Sequence, residues 1–320
     1  MKYIEEISLD AFNGFRVGNA EYTESGTGCT VILAEKGAVT GIDIRGGAPA
    51  SRESGLLNPL AANDGVHAVI LSGSSAFGLQ TAEGAVRWLE ERNIGFPTGF
   101  GVVPIVCASC LFDLGAGTSE RRADADLAYE ACVHAGNFRE GNYGAGCGAT
   151  VGKVLGGQYA MKSGIGYAGY QCGGLKVGAI VAVNAVGDVY DPDTHRKTAG
   201  MYDRDAKTWL SAEEAIYGLC AEKPDLFQKN TTIGVILTNG SFNKTELTKI
   251  AGMAHDGYAR SIVPVHTQFD GDSIYAMSSG GVSADLNAAG TLAARCMAEA
   301  IVSACTHANS AYGFPSCSDL

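Results

Sequence analysis

Three small polar residues, Asn230, Thr231 and Thr232, stand directly before an alternating apolar run at 233–237 that predicts a buried strand. If the chain were cut before Thr231, the freed α-amine, with a pKa of about 7.7–8.0, could act as base for the Thr231 hydroxyl. That hydroxyl would first attack the carbonyl before it, giving an ester that water opens. A Thr-Thr pair also simply suits the start of a strand. On these three residues alone, the simpler interpretation is favoured.

Two further groups could reach the same place. Asp270 and Asp272 precede the next predicted strand, "DSIYAMSSG", and would lie near Thr231 if the two strands are parallel neighbours. Asn184 closes the strand "KVGAIVAVN", and an antiparallel neighbour would bring its amide to the same edge, where it could donate to an oxyanion. The alternatives are an ordinary Asp-Gly-Asp turn, with Gly271 permitting the turn, and a strand-end cap.

A lysine lies in the glycine-rich segment "GNYGAGCGATVGKVLGG", 141–157. The segment fails both the phosphate-loop and the dinucleotide-binding patterns. Lys153 is predicted in mid-strand, on one face with Val151 and Leu155. It is either an edge charge reaching outward or a desolvated amine with a lowered pKa, and the sequence slightly favours the edge charge.

Other reactive side chains do not form a recognisable site. The pair in "CASC", 107–110, has no second pair to complete a zinc site, and its apolar setting favours core packing. The six His show no ligand spacing, and the ten Cys are scattered as expected for reduced thiols. "SGSSAFG", 72–78, lacks the Gly-x-Ser-x-Gly frame of a nucleophile elbow. We therefore expect neither a metal nor another cofactor.

The composition narrows the class of protein. Of 320 residues, 46% are hydrophobic, 18% are charged and 44 are Gly, which predicts a well-buried, layered interior. A formal charge of −11 argues against a nucleic-acid partner. The first residues hold no apolar run suited to a signal peptide, and no stretch of about 18 uncharged apolar residues predicts a membrane span. We expect a cytoplasmic protein.

The elements predict sheets covered by helices in one α/β domain. Strands are predicted at 29–36 and 38–46, joined by a Lys-Gly turn, and at 66–73, and the strands then cluster in the middle of the chain. No linker or repeat divides the chain. The predicted helices occupy 80–92, 124–134, a short segment near 212–221, 244–262 and 284–308.

Seven segments together resemble a known family, the self-processing N-terminal-nucleophile hydrolases that include β-aminopeptidases, D-stereospecific aminopeptidases and nylon-oligomer endo-hydrolases. They span residues 45 to about 280. The segments are "GGAPASRESGLLNP", "LSGSSAFGLQTAEGAVRWLEE", "GNYGAGCGATVGK", "KVGAIVAVNAVGDV", "NTTIGVILTN", "MAHDGYAR" and "HTQFDGDSIYAMSSG".

The resemblance is closest to the nylon-oligomer branch, since the aminopeptidase branch has Ser as nucleophile and a different acidic segment. It implies that the Asn230–Thr231 bond is self-cleaved, giving fragments 1–230 and 231–320 of a single 1–320 domain, and that Thr231 is the nucleophile. It implies a four-layer αββα sandwich assembled as a tetramer. The other catalytic or processing positions that it implies are Lys153, Asn184, Asp270 and Asp272.

The expected function is an autoprocessing N-terminal threonine amide hydrolase acting on small peptides or oligomers of β-, D- or ω-amino acids. One alternative is acyl transfer to an amine, as in ornithine acetyltransferase, which uses a similar Thr nucleophile. Another is an unprocessed, non-catalytic binding or assembly protein in which Thr-Thr only starts a strand.

Overall fold

The computed structural model describes residues 3–118, 120–220 and 230–320. The helices are α1 Thr81–Glu90, α2 Ala125–Val133, α3 Ala212–Gly218, α4 Lys244–Ser261 and α5 Leu286–Thr306. The strands are β1 Glu5–Glu6, β2 Arg16–Tyr22, β3 Thr27–Ile44, β4 Ser51–Arg52, β5 Gly65–Ser72, β6 Phe96–Thr98, β7 Gly101–Val103, β8 Val106–Cys110, β9 Thr150–Val151, β10 Met161–Lys162, β11 Ile165–Cys172, β12 Leu175–Asn184, β13 Asp188–Tyr190, β14 Lys197–Ala199, β15 Tyr202–Asp203, β16 Thr208–Trp209, β17 Thr231–Gly240, β18 Ile262–Val263 and β19 Ser273–Val282.

One mixed, hydrogen-bonded sheet contains ten of these strands. Their order is β1-β11-β12-β17-β19-β3-β5-β8-β4, and β2 pairs with β3 beside β5. The strand that Thr231 begins, β17, runs antiparallel to β12 and parallel to β19. Both strand directions on which the proximity argument depended are therefore confirmed.

The long strand β3 links the two halves of this sheet. Its first half pairs with β2 and β5, and its second half pairs with β19. The prediction of two strands joined by a Lys-Gly turn is wrong, because Gly37, at φ 76°, lies in an irregularity between Leu33 and Ala38 where the register with β5 shifts. Such a bulge bends a strand without reversing it.

Three buried cores separate four layers. On β17, Val235 and Leu237 point into a central core shared with Ile32 and Val69 from the other half of the sheet. Ile236, between them, points to the core beneath α4 and α5. A third core lies beneath α1 and α2. This period-two alternation places one helical layer on each side of two packed sheet layers, so the predicted single-domain α/β fold with αββα layering is confirmed.

Helix α5 is long and apolar enough to cross a membrane by length and composition alone. Its apolar residues are nevertheless used inside the protein, where Leu292, Met297 and Ile301 belong to the core beneath α4 and α5. Arg295 interrupts the apolar sequence and pairs with Glu299 at 2.5 Å. The helix is therefore a core helix of this fold.

Contact between α1 and α2 depends on a glycine. A Cβ on Gly84 would lie 1.8 Å from the carbonyl oxygen of Ala125, which is backbone and cannot rotate away. We predict that Gly84→Ala lowers the free energy of unfolding by at least about 2 kcal/mol through overpacking. The control is Gly218→Ala in α3, where a Cβ meets nothing within 4 Å, so stability should stay level or rise. Denaturant unfolding of both variants tests this, and equal stabilities would contradict it.

Candidate functional site

The register of three strands brings the predicted residues to one sheet edge. Asn184, the last residue of β12, is the direct partner of Thr231. On the other side, Asn230 forms a parallel bridge with Asp270, and Asp272 immediately precedes β19. The chain therefore assembles Asn184, Asn230, Thr231 and both aspartates around the entrance of β17.

Thr231 lies against the peptide bond that precedes it. Its residue is buried, and its hydroxyl contacts the carbonyl oxygen of Asn230. The backbone N–H of Gly271 lies 3.2 Å from that carbonyl oxygen and 3.2 Å from the Thr231 hydroxyl oxygen, and donates to both. A hydroxyl and a hydrogen-bond donor thus meet at one carbonyl group, the one that precedes Thr231.

Gly271 is needed for space rather than for an unusual backbone conformation. Its φ lies outside the positive range in which glycine is favoured, contrary to the role expected for it in a turn. A Cβ at this position would lie 2.7 Å from the Thr231 hydroxyl and 2.7 Å from the carbonyl oxygen of Ala48. Any side chain here would push against the Thr231 hydroxyl.

Lys153 is not an edge charge, and the prediction that placed it in mid-strand is wrong. Strand β9 ends at Val151, because Gly152, at φ 72°, turns the chain, and the N–H groups of 152 and 153 then bond to the carbonyls of Gly187 and Val186 at 3.0 Å each. The Lys153 ammonium points inward and donates to Asn184 Oδ1 at 2.7 Å and to its carbonyl oxygen at 3.1 Å.

The electrostatics of this ammonium suit proton transfer at neutral pH. Burial lowers the pKa of Lys153 to about 7, and the negative charges of Asp270 and Asp113 oppose that shift only in part. A large share of the amine is therefore neutral near pH 7 and able to accept a proton.

The hydrogen bonds of Asn184 engage Lys153 and the neighbouring backbone, and its expected role at an oxyanion stays a prediction. Its Oδ1 accepts from Lys153 and from the backbone N–H of Thr150 at 3.1 Å, and its Nδ2 donates to the carbonyl of Phe112 at 2.8 Å. The Asn230 carbonyl accepts from the backbone N–H of Gly271 and contacts the Thr231 hydroxyl. Asn184, which pairs with Thr231 in the sheet, holds the Lys153 ammonium through its Oδ1.

Asp270 lies on the far side of the Asn230–Thr231 bond. Its Oδ2 accepts from the hydroxyl of Thr267 at 2.5 Å and its N–H at 3.2 Å, and its Oδ1 accepts from the N–H of Val186 at 3.4 Å. Burial raises the pKa of Asp270 to about 7, with a further contribution from Asp272. The two aspartates therefore lie close enough to repel, and Asp270 titrates in the same range as Lys153.

Asp272 holds the backbone that follows Thr231. Its Oδ1 accepts from the backbone N–H of Thr232 at 2.8 Å. Its Oδ2 accepts from the backbone N–H of His266 at 3.2 Å and from ring Nδ1 of the same residue at 2.8 Å. The carboxylate therefore fixes the first backbone unit after Thr231.

The sequence analysis missed a cavity of about 190 Å³ that opens beside Lys153 and Asn230. The buried carboxyl in its wall, Asp113, accepts from the N–H of Ser74 at 2.7 Å and from the Thr27 hydroxyl at 2.8 Å. Burial raises the pKa of Asp113 to about 6. The one signal for it was a single charge following the apolar run "CASCLF". The cavity is lined by Phe112, Asp113, Gly115, Ala116, Gly148, Thr150, Lys153, Gly157, Asn230 and Phe314.

The Cys-x-x-Cys pair stands apart from this chemistry. Cys107 and Cys110 are buried free thiols. Burial raises the pKa of Cys107 to about 12, so the reactive thiolate is suppressed. The interpretation as core packing is confirmed.

Known proteins of similar sequence cover nearly the whole chain. An uncharacterized aminopeptidase of Mycobacterium tuberculosis is 37% identical over 98% of this chain and 97% of its own length. A 6-aminohexanoate-oligomer endohydrolase of Kocuria sp. is 31% identical over 92% of this chain and 84% of its own length.

Solved structures show the same fold at low sequence identity. The L-aminopeptidase D-Ala-esterase/amidase of Ochrobactrum anthropi, described as a variant of the Ntn-hydrolase fold, superposes with a TM-score of 0.69 at 16% identity, over 94% of this chain and 86% of that one. A Burkholderia sp. beta-aminopeptidase gives a TM-score of 0.67 at 18% identity, over 94% and 87% of the two chains.

The model of peptidase family S58 matches residues 9–317, a span that includes every residue of the site at the entrance of β17. With relatives above 30% identity along nearly its full length and the Ntn-hydrolase fold in its structural neighbours, the chain belongs to peptidase family S58 and is a hydrolase of the aminopeptidase and oligomer-endohydrolase group.

Proposed function

We propose that the chain cuts its own Asn230–Thr231 bond and then works as an N-terminal threonine amide hydrolase. One observation carries the proposal: the Thr231 hydroxyl lies against the Asn230 carbonyl, and Gly271 N–H donates to that same oxygen. The nearby Lys153 amine, with its pKa of about 7, is available as the base.

Self-cleavage proceeds in two steps in this proposal. The Lys153 amine takes the hydroxyl proton, and Thr231 Oγ1 attacks the carbonyl carbon of Asn230 while Gly271 N–H stabilises the oxyanion. The C–N bond breaks, the proton passes to the new α-amine, and an ester joins Asn230 to the hydroxyl. Water then opens the ester, leaving a carboxylate on Asn230 and a free amine on Thr231.

Substrate turnover repeats the chemistry on an external amide. The Thr231 α-amine takes the hydroxyl proton, and Oγ1 attacks the carbonyl carbon of the substrate amide. The substrate C–N bond breaks, and the departing amine takes the proton back from the α-ammonium, leaving the acyl group as an ester on Oγ1. Water then opens the ester and releases the acyl group as a carboxylate. The relatives above favour small peptides or oligomers of β-, D- or ω-amino acids as substrates, and the cavity beside Lys153 has room for one small acyl unit.

The proposal includes a homotetramer of processed protomers in the cytoplasm. Product analysis with and without an acceptor amine separates hydrolysis from acyl transfer.

Replacing the Thr231 hydroxyl by a methyl group of similar size tests whether this hydroxyl is the nucleophile. Thr231→Val removes the attacking oxygen and keeps the shape, so the purified variant should remain one full-length, folded chain. The matched control is Thr232→Val, because the Thr232 hydroxyl is equally buried and has no hydrogen-bond partner among the described residues. That control should split like the parent. Denaturing electrophoresis gives the answer, and splitting of the Thr231 variant at the same bond would mean that an outside protease cuts the chain.

The role of Lys153 as the base can be tested by removing its amine and by measuring self-cleavage at different pH values. Lys153→Met keeps most of the side-chain volume and should slow self-cleavage at least about a hundredfold, the usual size of a lost proton-transfer group. In the parent the neutral amine exists above its pKa, so the rate should rise with pH and level off above about 7. Cleavage of freshly translated chains between pH 5.5 and 9 provides the measurement. Parental rates in Lys153→Met would remove this lysine from the mechanism.

The space around the nucleophile provides a separate test. Gly271→Ala places a methyl group 2.7 Å from the Thr231 hydroxyl, so the hydroxyl must move and self-cleavage should slow at least about tenfold, or about 1.4 kcal/mol in the barrier. Gly55→Ala is the control, since a Cβ there meets nothing within 4 Å. Equal cleavage rates for the two variants would show that the close approach at 271 has no bearing on the reaction.

A further inference from the structure

His266 makes two hydrogen bonds to one oxygen of Asp272. Its backbone N–H lies 3.2 Å from Asp272 Oδ2 and its ring Nδ1 lies 2.8 Å from the same atom. An ionised carboxylate can only accept, so Nδ1 must carry the hydrogen. A bond of this kind, with one partner charged, is among the stronger hydrogen bonds in proteins.

The backbone of His266 is held in an uncommon conformation that makes this double contact possible. Its φ is 56°, in the left-handed region that residues with side chains rarely adopt. With the chain turned in this way, the main-chain N–H and the ring Nδ1–H converge on one carboxylate oxygen.

The imidazole ring is fixed from its other side by helix α4. It packs edge-on against the ring of His255 at 4.7 Å and lies 5.8 Å from the ring of Tyr258. His255 is itself tied to Asp43, and burial lowers its pKa to about 4. His266 Nε2 is buried without a hydrogen-bond partner among the described residues. The one polar interaction that the ring makes there is therefore the bond to Asp272.

Asp272 carries this constraint to the nucleophile. Its second oxygen accepts from the N–H of Thr232 at 2.8 Å, one residue after Thr231. A chain of direct contacts thus runs from α4 through His266 and Asp272 to the backbone that carries the attacking hydroxyl.

We infer that His266 is a positioning residue of the reaction: it fixes the Asp272 carboxylate, which in turn fixes the entrance of β17 so that Thr231 faces the bond it attacks. The inference rests on the proposed function, because the bond in question is the one that Thr231 cleaves. The hydrogen bonds of His266 go to Asp272, and none goes to the Thr231 hydroxyl or the Asn230 carbonyl.

Two substitutions that both suit a left-handed backbone separate positioning from packing. His266→Asn keeps an N–H donor the same number of bonds from the backbone as Nδ1, and Asn tolerates positive φ. His266→Gly also suits the backbone but has no donor. Self-cleavage of freshly translated chains should be within about threefold of the parent for His266→Asn and at least about tenfold slower for His266→Gly. Melting temperatures are measured on the same variants in a Thr231→Val background, where no chain is cut.

A near-parental cleavage rate in His266→Asn distinguishes a positioning role from a packing role. If His266 acted only by packing, both variants would cleave more slowly in proportion to their lost stability. Rates that follow melting temperature alone, or parental rates in His266→Gly, would overturn the inference. A double-mutant cycle with Asp272→Asn adds a second criterion: His266→Gly should cost less than about twofold once the carboxylate is gone, and a full tenfold further loss would contradict action through Asp272.

The outcomes for the two proposals can be told apart. A parent chain that never splits overturns the proposed function and the role of His266 with it. A parent that splits, a Thr231→Val chain that does not, and His266 variants that behave like the parent would leave the proposed function standing and remove only His266.

Discussion

The pairing of β17 between β12 and β19 is the constraint on which the site depends. Antiparallel pairing sets Asn184 opposite Thr231, and parallel pairing sets the Asp270–Asp272 segment beside the same end. A shift of one residue in either register would turn every side chain of β17 to the opposite core. Because Val235 and Ile236 pack into different cores, the hydrophobic interior on both sides holds this register. Apolar packing along β17 thus fixes the position of Thr231 at the start of the strand.

Burial at that edge then determines the electrostatics. Removing water lowers the pKa of Lys153 and raises that of Asp270, and both come to about 7. Their mutual attraction opposes both shifts without reversing them, so desolvation is the larger effect for each group. An amine and a carboxyl that both titrate near neutral pH suit the proposed mechanism, in which a proton leaves a hydroxyl and a proton reaches a departing amine.

The parts of this arrangement that follow from local pattern could be predicted from the sequence. The apolar alternation located β17, whereas the directions of β12 and β19 entered only as conditions, and the observed sheet meets both of them. The predictions were wrong at two glycines that set the path of the chain. At Gly37 the strand continues where a turn was predicted. At Gly152 the strand ends where it was predicted to continue, and Lys153 therefore points inward. Asp113 and His266 were missed because their contacts join segments far apart in the sequence, and no local pattern records which distant groups will meet.

The resemblance to known hydrolases named the same residues from a different starting point, and the hydrogen bonds add the contacts between them. Asn184 Oδ1 holds the Lys153 ammonium, and the backbone N–H of Gly271 donates to the Asn230 carbonyl. The mechanism proposed for the chain therefore depends on backbone geometry at Gly271 as much as on the reactive side chains.

The central claim is that this chain breaks the Asn230–Thr231 bond by itself. The most direct measurement is the intact mass of the protein under denaturing conditions, after purification and extended incubation, together with the N-terminal sequence of the smaller species. We expect two chains, 1–230 and 231–320, the second beginning with Thr231. A single chain of 320 residues that persists, or a fragment that begins at Thr232 or elsewhere, would contradict it.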